Sequence, residues 1–385
     1  MSTAAMNGLP LTPPLSPPKM KSSINLRIDY LETPRISFEQ TAPISTTSDG
    51  ILVCPFEVDY THDNSDDKEI LGHGAWSTVY RGAPKALRPT TNYGLLTPPL
   101  TPSPSSALVL AVKTPARKDA ISIIRHEART LTHLSFLDSR EQRVAAFHGL
   151  LEAETSLVLS AHPLSLETHL KHCVEIARHN ISMDTMSLPV LGSTPMWLDL
   201  ATRLVSTLDW LHNEAMVVHG DIKPGNILLK PSPFGTEAFP YVPLLIDFSS
   251  SQRLDDDAIT PNTLSAVTRE YTAPELLSIS VLKDPNSVAT MASDVFSLAV
   301  TLLSCVTGEP LVYPGCNFMQ RNMLASNGWQ VISNVRNMCD YGPVRIPKQG
   351  TVMRSLERAV LKKDMGRISA RDWKDLLERL SVDIQ

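Results

Sequence analysis

Residues 218–226, Val-His-Gly-Asp-Ile-Lys-Pro-Gly-Asn, restrict the possible folds and functions of this chain more than any other segment. Asp221 is followed by Lys223 two positions later and by Asn226 five positions later. A carboxylate can accept or orient a hydroxyl proton, a lysine can neutralise a phosphoryl oxygen, and an asparagine oxygen can bind a hard cation. These residues therefore suit phosphoryl-transfer chemistry. They also suit a loop in which short polar side chains form turns, so the segment alone leaves both interpretations open.

Four other segments accompany the nonapeptide in a definite order. They are Gly72–Val79 and Ala111–Lys113 before it, and Leu245–Ser249 and Thr268–Glu275 after it. Together the five segments resemble the signature set of the eukaryotic protein kinases, and the resemblance covers roughly residues 66–382. Lys223 and the segment from Thr268 resemble serine/threonine kinases rather than tyrosine kinases. The resemblance implies an α+β fold with a small β-rich lobe, a larger α-helical lobe and nucleotide between them.

The composition is that of an ordinary soluble protein with a large core, since 42% of its residues are hydrophobic and 19% are charged. A net charge of −5 gives no electrostatic reason to expect nucleic acid or a membrane surface as the main partner. Five cysteines without short paired spacing suit a reducing compartment. No signal peptide is evident, and the most apolar stretch, 295–306, is shorter than the roughly 20 residues of a membrane span. We therefore expect an intracellular protein of the cytoplasm or nucleus.

Two segments are rich in proline, serine and threonine. Residues 1–50 cannot bury enough apolar area to offset their ordering entropy and are predicted to be disordered. Residues 82–107 are interpreted as an insertion between two strands of the kinase-like domain. Both segments contain hydroxyl residues followed by proline, namely Thr12, Ser16, Thr97, Thr101 and Ser103. Such sites suit proline-directed kinases as partners, while a solvated low-complexity linker explains the same composition.

Strand-like segments come first in the expected domain and helical segments follow. The predicted strands are 69–74, 78–82, 108–113, 144–151 and 156–161. A helix is predicted over 119–134, because Ile121, Ile124, Ala128 and Leu131 recur at spacings of three and four. Further helices are predicted from an N-cap at Thr194, over 291–306 and over 371–380.

Several residues are candidates for holding the nucleotide. Gly72 and Gly74 allow backbone amides to approach triphosphate oxygens, although a tight hairpin also explains a glycine pair. Lys113 alone could be an edge lysine and Glu127 an exposed helical carboxylate. The resemblance instead pairs Lys113 with Glu127 and places the lysine on the α- and β-phosphates. It also assigns nucleotide contacts to Ser77, Val79, Ala111, Ser160, His162 and Leu228.

The resemblance gives catalytic roles to the polar residues of the later segments. It implies that Asp221 is the catalytic aspartate, that Lys223 contacts the γ-phosphate, and that Asn226 and Asp247 are metal ligands. ATP and Mg²⁺ are then the expected cofactors and a protein is the expected substrate. In the larger lobe, an ion pair is expected between Glu275 and Arg367, and Asp294 is expected to support the catalytic loop from beneath.

The chain departs from the family pattern in three places. Ser77 stands for the third glycine of the glycine-rich segment, Gly220 for the arginine before the catalytic aspartate (a non-RD variant, with His-Gly-Asp), and Ser249 for the glycine after Asp247-Phe248. These departures leave open a pseudokinase that acts as a scaffold. The His-Gly-Asp spelling also leaves open a small-molecule phosphotransferase similar to aminoglycoside and choline kinases. Lys223 and the Ala-Pro-Glu sequence at 273–275 favour a protein substrate instead.

The segment between Ser249 and Thr268 is the expected site of regulation. Because Gly220 offers no charge to a phosphate there, we predict an enzyme that is constitutively competent or gated elsewhere. We also expect that alanine at five hydroxyl positions changes activity only a few-fold; these are Ser250, Ser251, Thr260, Thr263 and Ser265. The acidic run 255–257 could mimic phosphate, but no cation for it is evident in the sequence.

Overall fold

The computed structural model describes residues 45–85, 108–180, 182–185, 188–233, 237–256, 268–278, 280–281, 284, 287–308, 316–327 and 350–382. The hydroxyl residues before proline in the two proline-rich segments lie outside this part of the chain. So do Asp257, Thr260, Thr263 and Ser265.

Six strands form the sheet of the small lobe. They are β1 (Val58–Tyr60), β2 (Ile70–His73), β3 (Ser77–Pro84), β4 (Leu110–Pro115), β5 (Phe147–Leu151) and β6 (Ser156–Ser160). All pairings are antiparallel, and the strand order is β1–β3–β4–β6–β5. Strand β2 also pairs with β3, on the same edge as β1. Side chains alternate along β4, so that Leu110 and Val112 enter the core while Ala111 and Lys113 share the opposite face. The five predicted strands are present, and β1 is an additional one.

Helix α1 (Ile121–Ser135) packs on this sheet. Ile124, Ala128 and Leu131 are buried, as the spacing predicts. Ile121, the first residue of the helix, has the same spacing but is 38% exposed. The fully covered residues of α1 belong to a core that continues into the large lobe.

The N-terminal tail was expected to be disordered up to residue 50, but residues 45–54 are bonded to the small lobe. The Leu150 amide donates to Leu52 (2.8 Å), and the Cys54 amide donates to Leu150 (3.0 Å), so the segment covers the free edge of β5. Ile51 is fully buried. Composition averaged over fifty residues hid this short apolar stretch. The expected insertion at 82–107 also begins too early, because β3 continues to Pro84.

The large lobe is mostly helical. The helices in its described residues are α2 (Leu166–His179), α3 (Thr194–Asn213), α4 (Met291–Thr307), α5 (Phe318–Asn327), α6 (Thr351–Leu356) and α7 (Ala370–Val382). Short strands form two pairs, β7 (Val217–Val218) with β10 (Gln252–Arg253), and β8 (Ile227–Pro231) with β9 (Tyr241–Leu245). The N-cap of α3 is Ser193, whose hydroxyl accepts from the Met196 amide, one residue before the predicted cap at Thr194.

Helix α4 is the central helix of this lobe, and every residue from Ser293 to Thr307 is buried. Thr290 and Ser293 form a capping box that fixes its first turn. Trp197 on α3 donates from its indole nitrogen to the Leu302 carbonyl at 2.9 Å. No helix in the described part of the chain is both long and apolar enough to cross a membrane. The predicted two-lobed α+β fold is confirmed.

Candidate active site

Three charged side chains meet at Lys113, inside β4. Lys113 Nζ lies 2.7 and 2.9 Å from the two carboxylate oxygens of Glu127 on α1, and 2.8 Å from Asp247 Oδ1. Burial lowers the pKa of Lys113, but the Asp247 and Glu127 carboxylates more than offset this and leave that pKa above its ordinary value. Lys113 is therefore a permanent cation. Burial raises the pKa of Asp247, but Lys113 outweighs it and holds that pKa well below the usual range.

The backbone after Asp247 turns sharply. Asp247 has left-handed dihedrals (φ 64°, ψ 72°), and the Phe248 amide donates to Glu127 at 3.1 Å. Ser249, at the position expected for glycine, donates its hydroxyl to Asp247 Oδ1 at 2.7 Å. No sequence pattern indicated this bond. It adds a donor to the oxygen that Lys113 also contacts, and so helps to fix the Asp247 carboxylate.

Residues of the loop that follows β7 converge on the Asp221 carboxylate. Asp221 Oδ2 accepts from Lys223 Nζ (2.5 Å) and from Asn226 Nδ2 (3.1 Å), while Oδ1 accepts from the Thr268 amide (3.3 Å). Lys223 also donates to the Thr268 hydroxyl at 2.8 Å. Burial raises the pKa of Asp221, and Lys223 only partly opposes this shift. Asp247 also raises the pKa of Asp221, which places the two carboxylates in one electrostatic site.

Asp294, in the first turn of α4, holds the loop from below. Its carboxylate accepts from the His219 amide (2.7 Å), the Gly220 amide (2.9 Å) and His212 Nε2 (3.1 Å). His219 in turn packs on the ring of Phe248 with centroids 4.8 Å apart. The expected support from Asp294 is therefore present. The expected ion pair of Glu275 is present too, with Arg367 nitrogens 2.5 and 2.7 Å from its oxygens.

Gly220 is required by the backbone geometry. Its φ is +82°, and a Cβ at this position would lie 2.3 Å from the Ser250 carbonyl oxygen. A side chain there would be strained by φ and would collide with backbone. Glycine at this position thus lets the segment after Asp247 pass directly over the loop that carries Asp221.

The segment that starts at Ser249 is attached to α1. His126 Nε2 donates to the Ser251 carbonyl at 2.7 Å, and the Ser251 hydroxyl lies 3.1 Å from the Thr130 hydroxyl and 2.7 Å from the Phe248 carbonyl. Ser250 and Ser251 are both buried. The burial of these two residues weighs against the expectation that alanine there changes activity only a few-fold, and that expectation stays a prediction.

The acidic run after β10 does have a cation. Arg253 lies 2.8 Å from Asp255 and 3.7 Å from Asp256. The expectation that no cation faces this run is wrong. Arg253 lies two residues before Asp255, a spacing that by itself does not indicate an ion pair.

The uncharged candidate residues lie on the strands around these charges. By element they are Gly72 and Gly74 at the β2–β3 turn, Ser77 and Val79 on β3, Ala111 on β4, Ser160 and His162 at the end of β6, and Leu228 on β8. Ser160 bonds through its hydroxyl to His148 Nε2 at 2.9 Å. Burial lowers the pKa of His162 to about 4, so this ring is neutral at physiological pH.

These residues fit ATP and a divalent cation. A Cβ at Gly72 would meet nothing within 4 Å and one at Gly74 only Ser77, so the space that phosphates need is open. Asn226 donates through Nδ2 to Asp221, which leaves its oxygen to bind a cation together with Asp247. No cluster of three His, Cys, Asp or Glu residues that could hold a metal occurs among the described residues. Two protein ligands suit Mg²⁺, which retains waters and takes phosphate oxygens.

Comparison with known proteins agrees with this geometry. Residues 108–376 match the family model of the protein kinase domain. The serine/threonine-protein kinase RUNKEL of Arabidopsis thaliana is 28% identical over 245 residues, which cover 63% of this chain and 14% of that protein. An L-type lectin-domain containing receptor kinase of the same plant is 24% identical over 74% of this chain and 34% of that protein. The serine/threonine-protein kinase ISR1 of Eremothecium gossypii is 26% identical, covering 51% and 52%. The chain thus spans 14% to 52% of the length of these relatives.

Proposed function

The chain belongs to the protein kinase domain family, and we propose on this basis that it transfers the γ-phosphoryl group of ATP to serine and threonine hydroxyls of proteins. The observation that carries the proposal is the meeting of two charged sets in one site. Lys113 with Glu127 and Asp247 forms the first set, and Asp221 with Lys223 forms the second. The family itself implies use of ATP and a divalent cation and action on protein substrates.

Each charged side chain has a task that its contacts support. Lys113, kept cationic and aimed by Glu127, binds the α- and β-phosphates. Asp221 orients the attacking hydroxyl and receives its proton as the new oxygen–phosphorus bond forms and the bond to the β-phosphate oxygen breaks. Lys223 neutralises the moving phosphoryl group. Mg²⁺, held by Asn226 and Asp247, would supply further charge neutralisation at the phosphate oxygens.

The choice of serine and threonine is supported by Thr268. Its hydroxyl and amide contact Lys223 and Asp221 at 2.8 and 3.3 Å. Thr268 therefore bonds to both the proposed catalytic carboxylate and the lysine beside it, as the resemblance to serine/threonine kinases implies. The Glu275–Arg367 pair fixes the backbone that follows Thr268, which supports a platform for a protein substrate.

The test is a pair of substitutions at the two carboxylates. Asp221→Asn should keep MgATP binding, measured by thermal shift, and lose transfer of labelled phosphate to a generic basic protein by about 10²–10⁴-fold. Asp247→Asn should lose both, because it removes a metal ligand. Asp372→Asn, at a carboxylate on α7 bonded to Ser369, is the matched control and should change neither.

Other outcomes would replace the proposal. Wild-type transfer rates in both variants would end the kinase assignment. Nucleotide binding without transfer in the wild-type protein would favour a scaffolding pseudokinase. Transfer to small alcohols or amines but never to proteins would favour a small-molecule phosphotransferase.

We further propose that activity needs no phosphate between Ser249 and Thr268, as expected of a non-RD variant. Gly220 provides no guanidinium to bind such a phosphate. The neutral bonds of Ser251 to α1 hold the start of this segment instead.

The two proline-rich segments are proposed to be substrates of proline-directed kinases in an intracellular setting. The proposed catalytic domain then extends from residue 45 to residue 382, with an insertion after residue 85. Phosphopeptide mass spectrometry of the protein from growing cells tests the first statement, and absence of modification at every site before proline would contradict it.

A further inference from the structure

We propose that Asp49 is a positioning residue for the phosphoryl-transfer site, acting from the far side of α1 to hold Glu127 on Lys113. The inference deepens the proposed function and rests on it. It assigns a role to residues 45–54, here called the N-terminal strap, which no signature segment of the sequence includes.

Asp49 binds α1 at the turn that carries Glu127. Its carboxylate oxygens lie 2.9 Å from Arg125 Nη2 and 2.9 Å from Arg129 Nη2. The Thr47 hydroxyl donates to the same carboxylate at 2.6 Å. That hydroxyl and Arg125 lower the pKa of Asp49 to about 2, so the carboxylate is ionised at any physiological pH.

The geometry of a helix places this contact opposite the active site. Arg125 and Arg129 are four residues apart and therefore share one face. Glu127 lies midway between them, about 200° around the axis, because each residue turns the helix by about 100°. Asp49 thus fixes the back of the same turn whose front presents Glu127 to Lys113 at 2.7 Å.

The strap continues along this back face and then joins the sheet. The Leu52 amide donates to the Thr132 hydroxyl at 3.0 Å, three residues beyond Arg129. Val53 then bridges to Leu150 of β5 in parallel. The strap is therefore secured at one end to the sheet and at the other to α1.

Gly149 provides independent evidence that the strap is built into the fold. Its φ is +125°, and a Cβ there would lie 2.4 Å from the Cys54 nitrogen and 2.5 Å from the Val53 carbonyl carbon. The backbone of β5 is thus shaped for a strap in direct contact. An incidental surface segment would not need such a position.

The experiment is a double-mutant cycle on MgATP affinity, which needs no turnover. Asp49→Asn should weaken binding about fivefold, the upper size expected for a partly exposed ion pair. Glu127→Gln should weaken it more. The double variant should match Glu127→Gln within about twofold, because Asp49 acts only through Glu127. Unchanged affinity in Asp49→Asn, or fully additive losses, would overturn the proposal.

Glu57→Gln is the matched control. Glu57 forms an exposed 2.6 Å pair with Lys85 in the same lobe and touches neither α1 nor the strap, so its loss should leave MgATP affinity unchanged. If Asp49→Asn fails to fold, Arg129→Gln replaces it in the same cycle. This change removes one ion-pair partner of Asp49, and the Arg129 side chain is 45% exposed.

Hydrogen exchange separates this proposal from the proposed function. Without nucleotide, the amides of α1 should exchange faster in Asp49→Asn than in Glu57→Gln. Faster exchange in a protein whose wild type transfers no phosphate would support the positioning role and end the kinase proposal. Equal exchange in an active kinase would end the positioning role alone.

Discussion

The two sides of the candidate active site are held in different ways. On the large-lobe side, Asp221 sits on a loop whose amides are bound by Asp294, and Asp294 belongs to a helix that is buried on every face. On the small-lobe side, Glu127 sits on a helix held from outside by Asp49 and from below by Ser251. The first support is a single buried carboxylate, while the second combines the packed apolar face of α1 with several separate polar contacts.

This difference predicts different responses to damage. A buried carboxylate with three donors leaves unsatisfied groups when it is removed, which costs stability. Individual neutral or half-exposed contacts on α1 each contribute about 1 kcal/mol, so their loss shifts the helix without unfolding the lobe. The large-lobe charges are therefore fixed by the fold, while the position of the small-lobe charges can be adjusted.

The largest effect is expected at Asp294. Asp294→Ala leaves the His219 and Gly220 amides without their acceptor, and each buried amide costs about 1–3 kcal/mol. The free energy of unfolding, measured by urea denaturation, should fall by about 2–6 kcal/mol, with loss of phosphate transfer. Asp294→Asn keeps one acceptor oxygen, so its free energy of unfolding should lie between those of Asp294→Ala and the wild type. A stable, active Ala variant would show that the two sides are not supported differently.

A smaller effect, on activity more than on stability, is expected at Ser251. Ser251→Ala removes the hydroxyl contact to Thr130 and should lower kcat/KM by about tenfold, which corresponds to about 1.4 kcal/mol. Ser122→Ala, at an exposed hydroxyl in the first turn of α1, is the control on the same helix.

The triple change of Thr260, Thr263 and Ser265 to alanine extends the Ser251 test and should leave kcat/KM within a few-fold. If kcat/KM fell a hundredfold in the triple variant and did not change in Ser251→Ala, the segment would be a phosphorylation switch.

The smallest effect is expected on removing residues 1–44, whose composition cannot bury much apolar area. The melting temperature should stay within about 1–2 °C of the full chain. Removing residues 1–54 also deletes the buried Ile51 side chain and Asp49, and should lower it by about 5 °C or more. Equal melting temperatures of the two truncations would show that the strap adds no stability to the small lobe.

Sequence patterns predicted the large-lobe side of the site better than its supports on the small lobe. Asp221, Lys223 and Asn226 lie within six residues, so local spacing already fixes their proximity. Contacts of Asp49 with Arg129, or of His126 with Ser251, join residues 80 and 125 positions apart. No periodic pattern in the sequence predicts such pairs, because each depends on the path of the chain between elements that are far apart in sequence.

Local chemistry was also misread where a residue replaces the family's usual type. Ser249 in place of glycine indicated only a departure, yet its hydroxyl bonds to Asp247. Arg253 was overlooked because a cation two residues before two acids has no characteristic spacing. Helix α2 received no bounds of its own from the sequence, although Leu166, Leu170 and Cys173 recur on it at spacings of four and three and are buried.

Gly220 determines the order of changes needed to make this protein respond to phosphate. Replacing Gly220 with arginine is the obvious first change, but the Ser250 carbonyl occupies the place of the new Cβ. The change would displace Ser250 and with it the bonds that Ser251 makes to α1 before any phosphate arrived. A responsive version has to begin with a new backbone path for residues 249–251, and only then can position 220 accept a guanidinium.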